Sequence, residues 1–224
     1  MPSNYSIDTK AFTLKKLHNL LKSKHLLPGR VMLKNNIDEN FEILKNLDIK
    51  NLEDLFSVLK SKKKLVEFSE KSGISEEYLS ILNREAKSYI PKPLNLKVFE
   101  EFDCVSILEE NGIKRSDQLW DLTLTKNDRL ALAKKLNINE DELTHLSKLC
   151  DLSRIIGVGP VFARILYEAN IQTAEQFMQG ELEELAIMTN EMLDKMDYKS
   201  PKIKARDIQY CFDMGMHLSL AYKS

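Results

Sequence analysis

The sequence predicts an all-α fold assembled from tandem units of small helix pairs, and three observations predict it. Glycine and proline number seven and six in 224 residues, too few for a turn-rich β architecture. Apolar residues recur at helical spacing, and no run alternates apolar and polar residues as a half-buried strand does. Finally, the chain repeats itself. Phe41–Ile90 laid over Val105–Arg154 without a gap, an offset of 64, gives eleven identities in fifty positions. Most of these are apolar (Leu44/Leu108, Ile49/Ile113, Leu55/Leu119, Leu79/Leu143, Leu82/Leu146), and Phe56 meets Trp120. What recurs is a buried pattern.

In chain order, the first element is "KAFTLKKLHNLLKSKHLL", Lys10–Leu27, with an apolar stripe of Phe12, Leu14, Leu17, Leu20 and Leu21. Lys15, Lys16, Lys22 and Lys24 form its wet face, and Pro-Gly-Arg ends it. The first copy then opens with Phe41–Leu47 at helical spacing. Asn51 caps "LEDLFSVLK" and Ser75 caps "EEYLSILNREA". Between them, "KSKKK" (Lys60–Lys64) reads as a solvated loop. "YIPKPLNLK", Tyr89–Lys97, holds two prolines in three residues and breaks the helical pattern, so the domain boundary falls there: 1–90 and 91–224. In the second copy Ser116 caps "DQLWDL", and Asn139 with Glu142 makes a capping-box pattern. A shorter third copy starts at Ile165, where Ile165, Leu166, Glu168 and Ile171 match the second copy at an offset of 58. Thr173 and Gln176 cap its next helix, and Ser200-Pro201 reads as the start of the last one.

The net charge of −1 hides an asymmetry. Residues 1–35 carry seven Lys/Arg and one acid; residues 100–150 carry seven and eleven; residues 151–190 carry two and six. Cys104, Cys150 and Cys211 match no CxxC pattern and read as buried thiols in a reducing, cytoplasmic setting. No apolar run approaches the ~20 residues of a membrane span, and no signal-peptide pattern is present. The four histidines form no metal-ligand spacing. No GxSxG or Cys–His arrangement exists, so neither an enzyme nor a cofactor is expected.

The distinctive stretch is "LSRIIGVGPVFARIL", Leu152–Leu166. Gly157 and Gly159 permit positive φ and close backbone approach, and Val158 between them is the corner's apolar peg. Pro160 suits the first position of a helix, Ala163 allows close helix packing, and Asn170 tolerates the left-handed geometry that ends it. This is a helix-hairpin-helix corner. Its exposed N–H groups at a helix N-terminus favour an anion such as a phosphate oxygen, contacted through backbone and therefore without sequence readout. Expected contact residues are Gly157, Val158, Gly159 and Val161, with Arg154, Arg164, Lys62, Lys63 and Lys64 adding charge. A dinucleotide loop is excluded because the third glycine and the preceding strand are missing.

"DLSRIIGVGPVFARILYEANIQTAEQF" (Asp151–Phe177), preceded by "ALAKKLNINEDELTHLSKLCDL", resembles the helix-hairpin-helix proteins catalogued as domain-of-unknown-function family 4332. "KKKLVEFSEKSGISEEYLSILNREAKSYIPKPLNL" (Lys62–Leu96) resembles the longer members, so the likeness spans roughly residues 25–220. It implies tandem helix-hairpin-helix-like (SAM-like) helical repeats and no established activity. The first two copies lack the GxG. The expected function is weak, sequence-independent nucleic-acid binding, DNA ahead of RNA. The alternative is a protein-interaction scaffold. No membrane association is expected.

Overall fold

The structure, a computed structural model, describes residues 5–223 and is all-helical. It divides into two compact units: residues 8–90, and residues 91–223 joined by 5–7. The linker prolines mark the division between Ile90 and Pro91, but the start of the chain folds with the second unit rather than the first. Ile7 makes an isolated antiparallel bridge to Leu218.

The first unit holds α1 (Leu14–Ser23), a 3-10 turn (Pro28–Lys34), α2 (Ile37–Asn46), α3 (Leu52–Val58), α4 (Lys62–Ser72) and α5 (Glu76–Lys87). The stripe of α1 is buried as its spacing demands: Phe12, Leu17 and Leu21 are fully covered. Glu85 on α5 is buried too. Burial alone would raise its carboxyl pKa, but the Tyr89 hydroxyl, Arg30 and Lys24 bond to it and hold it below the ordinary value. This cluster ties α1, the 3-10 turn and α5 together.

The second unit holds a 3-10 turn (Leu96–Phe99), α6 (Cys104–Glu110), α7 (Ser116–Leu122), α8 (Lys126–Leu136), α9 (Glu140–Leu152), α10 (Pro160–Glu168), α11 (Ala174–Gln179), α12 (Leu182–Lys195) and α13 (Ala205–Gly215). The helix bounds carry the sequence period. Both ends of α3 and α4 recur 64 residues on in α7 and α8, and α5 and α9 start 64 apart. The start of α7 recurs 58 residues on at α11. The special backbone positions follow the same offsets. Asp48, Gly112 and Asn170 all have positive φ after the first helix of their copies; Gly73 and Asn137 do so after α4 and α8. Residues with short polar side chains or none occupy them because L-residues with bulkier side chains resist that conformation.

Side-chain oxygens of Asn51, Ser75, Asn139 and Thr173 accept N–H bonds at the helix starts expected of them. The two expected capping boxes do not close, because Glu142 Oε1 accepts the Cys104 N–H and Gln176 Oε1 the Gln172 N–H instead of the N-cap N–H groups. Three further expectations move. Lys60–Lys64 is no loop: Ser61 caps α4, and Lys62, Lys63 and Lys64 are its exposed first turn. Ser116 is not a cap but the first residue of α7; Gln118 Oε1 instead accepts the Lys114 and Arg115 N–H groups. Ser200-Pro201 precedes the last helix, which starts at Ala205 with Asp207 accepting the Lys204 N–H.

Candidate nucleic-acid interface

The corner is anchored by a buried polar cluster at the end of α9. At the starts of α3 and α7, the Leu52 and Ser116 N–H groups donate to carbonyls of extended segments, Phe12 O at 3.0 Å and Leu94 O at 2.9 Å. The third copy has the corner there instead of such a segment. The equivalent Ala174 N–H donates to Asp151 Oδ2 at 2.7 Å. The other oxygen, Asp151 Oδ1, accepts the Trp120 indole N–H at 2.8 Å and the Arg154 guanidinium at 2.6 Å. Arg154 also donates to Tyr5 O and Ser219 O, both at 2.7 Å, and its guanidinium carbon lies 4.1 Å from the Trp120 ring centre. Asp151 and Arg154 are both covered from solvent, so burial pulls the guanidinium pKa down against the opposing pull of Asp151.

This overturns one expected contact: Arg154 cannot reach a phosphate, because every direction of its planar fork is spent inside the protein. Val158 is a second correction. Its side chain is buried, as a peg should be, but its N–H donates to Ile155 O at 2.9 Å and is not offered to a ligand.

The two glycines have different reasons to be glycine. Gly157 adopts φ +96°, and a Cβ there would lie 3.0 Å from Cys211 Sγ on α13. It is required by backbone and by packing. Gly159 has φ −83° and ψ 179°, ordinary extended backbone, not the positive φ expected of it. Nothing lies within 4 Å of where its Cβ would be. It faces open space at the N-cap of α10. Pro160 follows at the first helical position, and no side chain caps this end. By helix geometry the Gly159, Val161 and Phe162 N–H groups then have no acceptor in the helix, and the positive end of the helix dipole adds to them. Val161 is exposed.

Arg164 is committed nearby. It donates to Glu101 Oε1 at 2.5 Å, to Val98 O at 2.7 Å and to Pro160 O at 3.2 Å, and stacks 4.8 Å from the Phe99 ring centre. The cation that the structure does bring to the corner is Arg206, which sequence reading did not single out. Gly157, Phe162, Ile203 and Arg206 share the lining of a groove of about 400 Å³ between the corner and α13. The Arg206 side chain is 78% exposed, with Asp207 3.9 Å away. It ends a segment, residues 198–206, that carries Lys199, Lys202, Lys204 and Arg206 and no acid. Asn190 on α12 fixes that segment, its amide both donating to Ile203 O (2.8 Å) and accepting the Ile203 N–H (2.9 Å). The signal was present as four cations in eight residues amid acidic sequence. Lys62, Lys63 and Lys64 belong to the other unit.

Residues 102–209 match the family model described as "Domain of unknown function (DUF4332)". This part of the chain, α6 to the start of α13, belongs to the DUF4332 family. The match takes in the corner and the second and third copies; it does not extend to the first unit. No curated protein and no solved structure gives a significant match. Among the described residues no helix is long and apolar enough to cross a membrane.

Proposed function

We propose that this DUF4332 protein is a non-catalytic binder of nucleic-acid backbone that works as a helix-hairpin-helix does. The free N–H groups of Gly159, Val161 and Phe162 take a phosphate oxygen, and Arg206, Lys204 and Lys199 supply the attraction. Such contacts position a phosphate and read no base. The observation that carries this reading is the uncapped, glycine-opened start of α10 beside Arg206. The acids that flank the corner in sequence weigh less against it than their number suggests, since Asp151 is buried and fully bonded.

The test is fluorescence anisotropy of a labelled duplex and a labelled single strand over a salt series. Two to three neutralised phosphates predict roughly a ten- to fortyfold loss of affinity between about 50 and 200 mM salt. Gly159→Glu and Arg206→Glu should each weaken binding at least fivefold without moving the unfolding midpoint. Binding that ignores salt, or survives both variants, refutes the mechanism.

A protein-interaction scaffold is the second reading. Its support is the charge of residues 91–223, with 17 Lys/Arg against 22 Asp/Glu, and the apolar part of the groove lining, Phe162 and Ile203. Recovery of a stoichiometric protein partner without nucleic acid would favour it.

A further inference from the structure

The repeat offers an internal comparison: what fills a given groove in one copy can be looked for in the other. In the second unit, residues 219–223 run without regular structure across the start of α8 and the middle of α9. The Lys223 N–H donates to Leu124 O at 2.8 Å, and Arg129 donates to Lys223 O at 2.9 Å. The Tyr222 hydroxyl bonds Ser147 Oγ at 2.7 Å, and its ring is buried with Trp120 and Tyr5, with Leu124 packed against them. An extended, tyrosine-bearing segment is thus seated in the cleft of the second copy.

Shift back by 64 residues. Leu124 becomes Lys60, Thr125 becomes Ser61, Thr144 becomes Ser80, and Ser147 becomes Asn83. These four residues of the first copy line an open groove of about 520 Å³. Among the described residues no segment is seated there as 219–223 is in the second copy. At its wall, Asn83 Nδ2 donates to Leu59 O at 3.0 Å, which fixes the amide and points its oxygen elsewhere. That oxygen, Asn83 Oδ1, is buried and has no hydrogen-bond partner among the described residues. A buried acceptor left unmade is costly, and this one stands at the position whose equivalent, Ser147 Oγ, bonds a tyrosine hydroxyl.

We propose that the α4–α5 groove of the first unit receives an extended segment of a partner protein carrying a tyrosine, seated as Ala221-Tyr222-Lys223 is seated in the second unit. The tyrosine hydroxyl would donate to Asn83 Oδ1, and a backbone N–H one residue later would donate to Lys60 O, the counterpart of Leu124 O. This site lies in a different unit from the α10 corner and does not depend on the nucleic-acid reading.

The experiment uses the full chain and a fluorescent peptide of residues 217–223, with a second peptide in which phenylalanine replaces the tyrosine. The tyrosine peptide should bind saturably, and the phenylalanine peptide about fivefold more weakly, as loss of one hydrogen bond predicts. Asn83→Leu should abolish that fivefold difference. Ser80→Phe, which fills the groove and removes no described hydrogen bond, should abolish binding of both peptides. Circular dichroism melts check that both variants are folded. Absence of saturable binding overturns the proposal. So does binding unchanged in Asn83→Leu and Ser80→Phe, which would place the peptide in the second unit's own cleft by exchange with residues 219–223. A second copy of the chain as occupant would appear as concentration-dependent dimerisation that Ser80→Phe removes, and would overturn the assignment to a different partner.

Discussion

Arg154→Met is the perturbation that best separates the buried reading of this residue from the phosphate-binding one. The substitution keeps most of the stem and removes the guanidinium. Three acceptors then lose the guanidinium as a donor: Tyr5 O, Ser219 O and Asp151 Oδ1. The two carbonyls account for about 1 kcal/mol each. Asp151 keeps the Trp120 and Ala174 N–H groups but is left as a buried charge without its counter-ion. Breaking a buried pair from one side costs about 3–5 kcal/mol, so a total of about 5–7 kcal/mol is expected, or roughly 15–25 °C in a unit of this size. Trp120 is the protein's single tryptophan and packs against Arg154, so its fluorescence during urea unfolding reports this unit alone. Arg154→Lys should recover only part of the loss, because an ammonium cannot reach three acceptors from a planar fork. An Arg154→Met protein with a wild-type unfolding midpoint but weakened oligonucleotide binding would refute the reasoning and return Arg154 to the surface.

Three further outcomes follow from the same geometry. Gly157→Ala, at φ +96° with Cys211 Sγ 3.0 Å from the new methyl, should cost about 1–3 kcal/mol in urea unfolding, whereas Gly159→Ala, at φ −83° in open space, should change stability by no more than about 0.5 kcal/mol. His145 is stacked 3.8 Å from the Tyr167 ring centre and packs edge-on to Phe102, and burial, only partly countered by Glu168, lowers its pKa below the ordinary 6.5. The unfolded chain therefore binds this proton first. Stability is complete above about pH 6.5 and falls as pH drops through the window below it, and His145→Phe should flatten the slope of the unfolding midpoint between about pH 7.5 and 5.5 relative to wild type. The Cys211 thiol is buried and pushed up to about 11, so a disulfide exchange reagent at about pH 7.5 should modify it only as fast as α13 opens, and Gly157→Ala should speed that labelling; labelling at the rate of a free thiol would contradict the packing of α13 on the corner.

The parts of the fold legible in the sequence are those written in local chemistry. An apolar stripe, a short polar cap and a left-handed turn residue each act within a few positions of themselves, so the 64-residue period in Leu44, Ile49 and Leu55 reappears in the bounds of α3, α4 and their counterparts. The same holds for Gly157 to Ala163, where a peg, a proline and a small residue together specify a corner. The fate of a charge is not local. Arg154 is three residues from Asp151, a spacing shared by many exposed helical ion pairs. What buries it is a carbonyl 149 residues away at Tyr5, another 65 away at Ser219 and the indole face of Trp120. Arg206 was missed for the complementary reason: it lies 49 positions from Gly157 and joins the corner only because Asn190 clamps Ile203 and α13 packs at Cys211. Repetition partly restores this lost information. Ser147 and Asn83 are unremarkable alone, but the offset of 64 makes them one position, and a filled site at the first gives a physical meaning to the unpaired oxygen at the second. In a repeat protein, then, a charged or polar residue is best interpreted against its counterparts in the other copies, since the departures between copies are where ligands and tails can act while the shared positions hold the helices together.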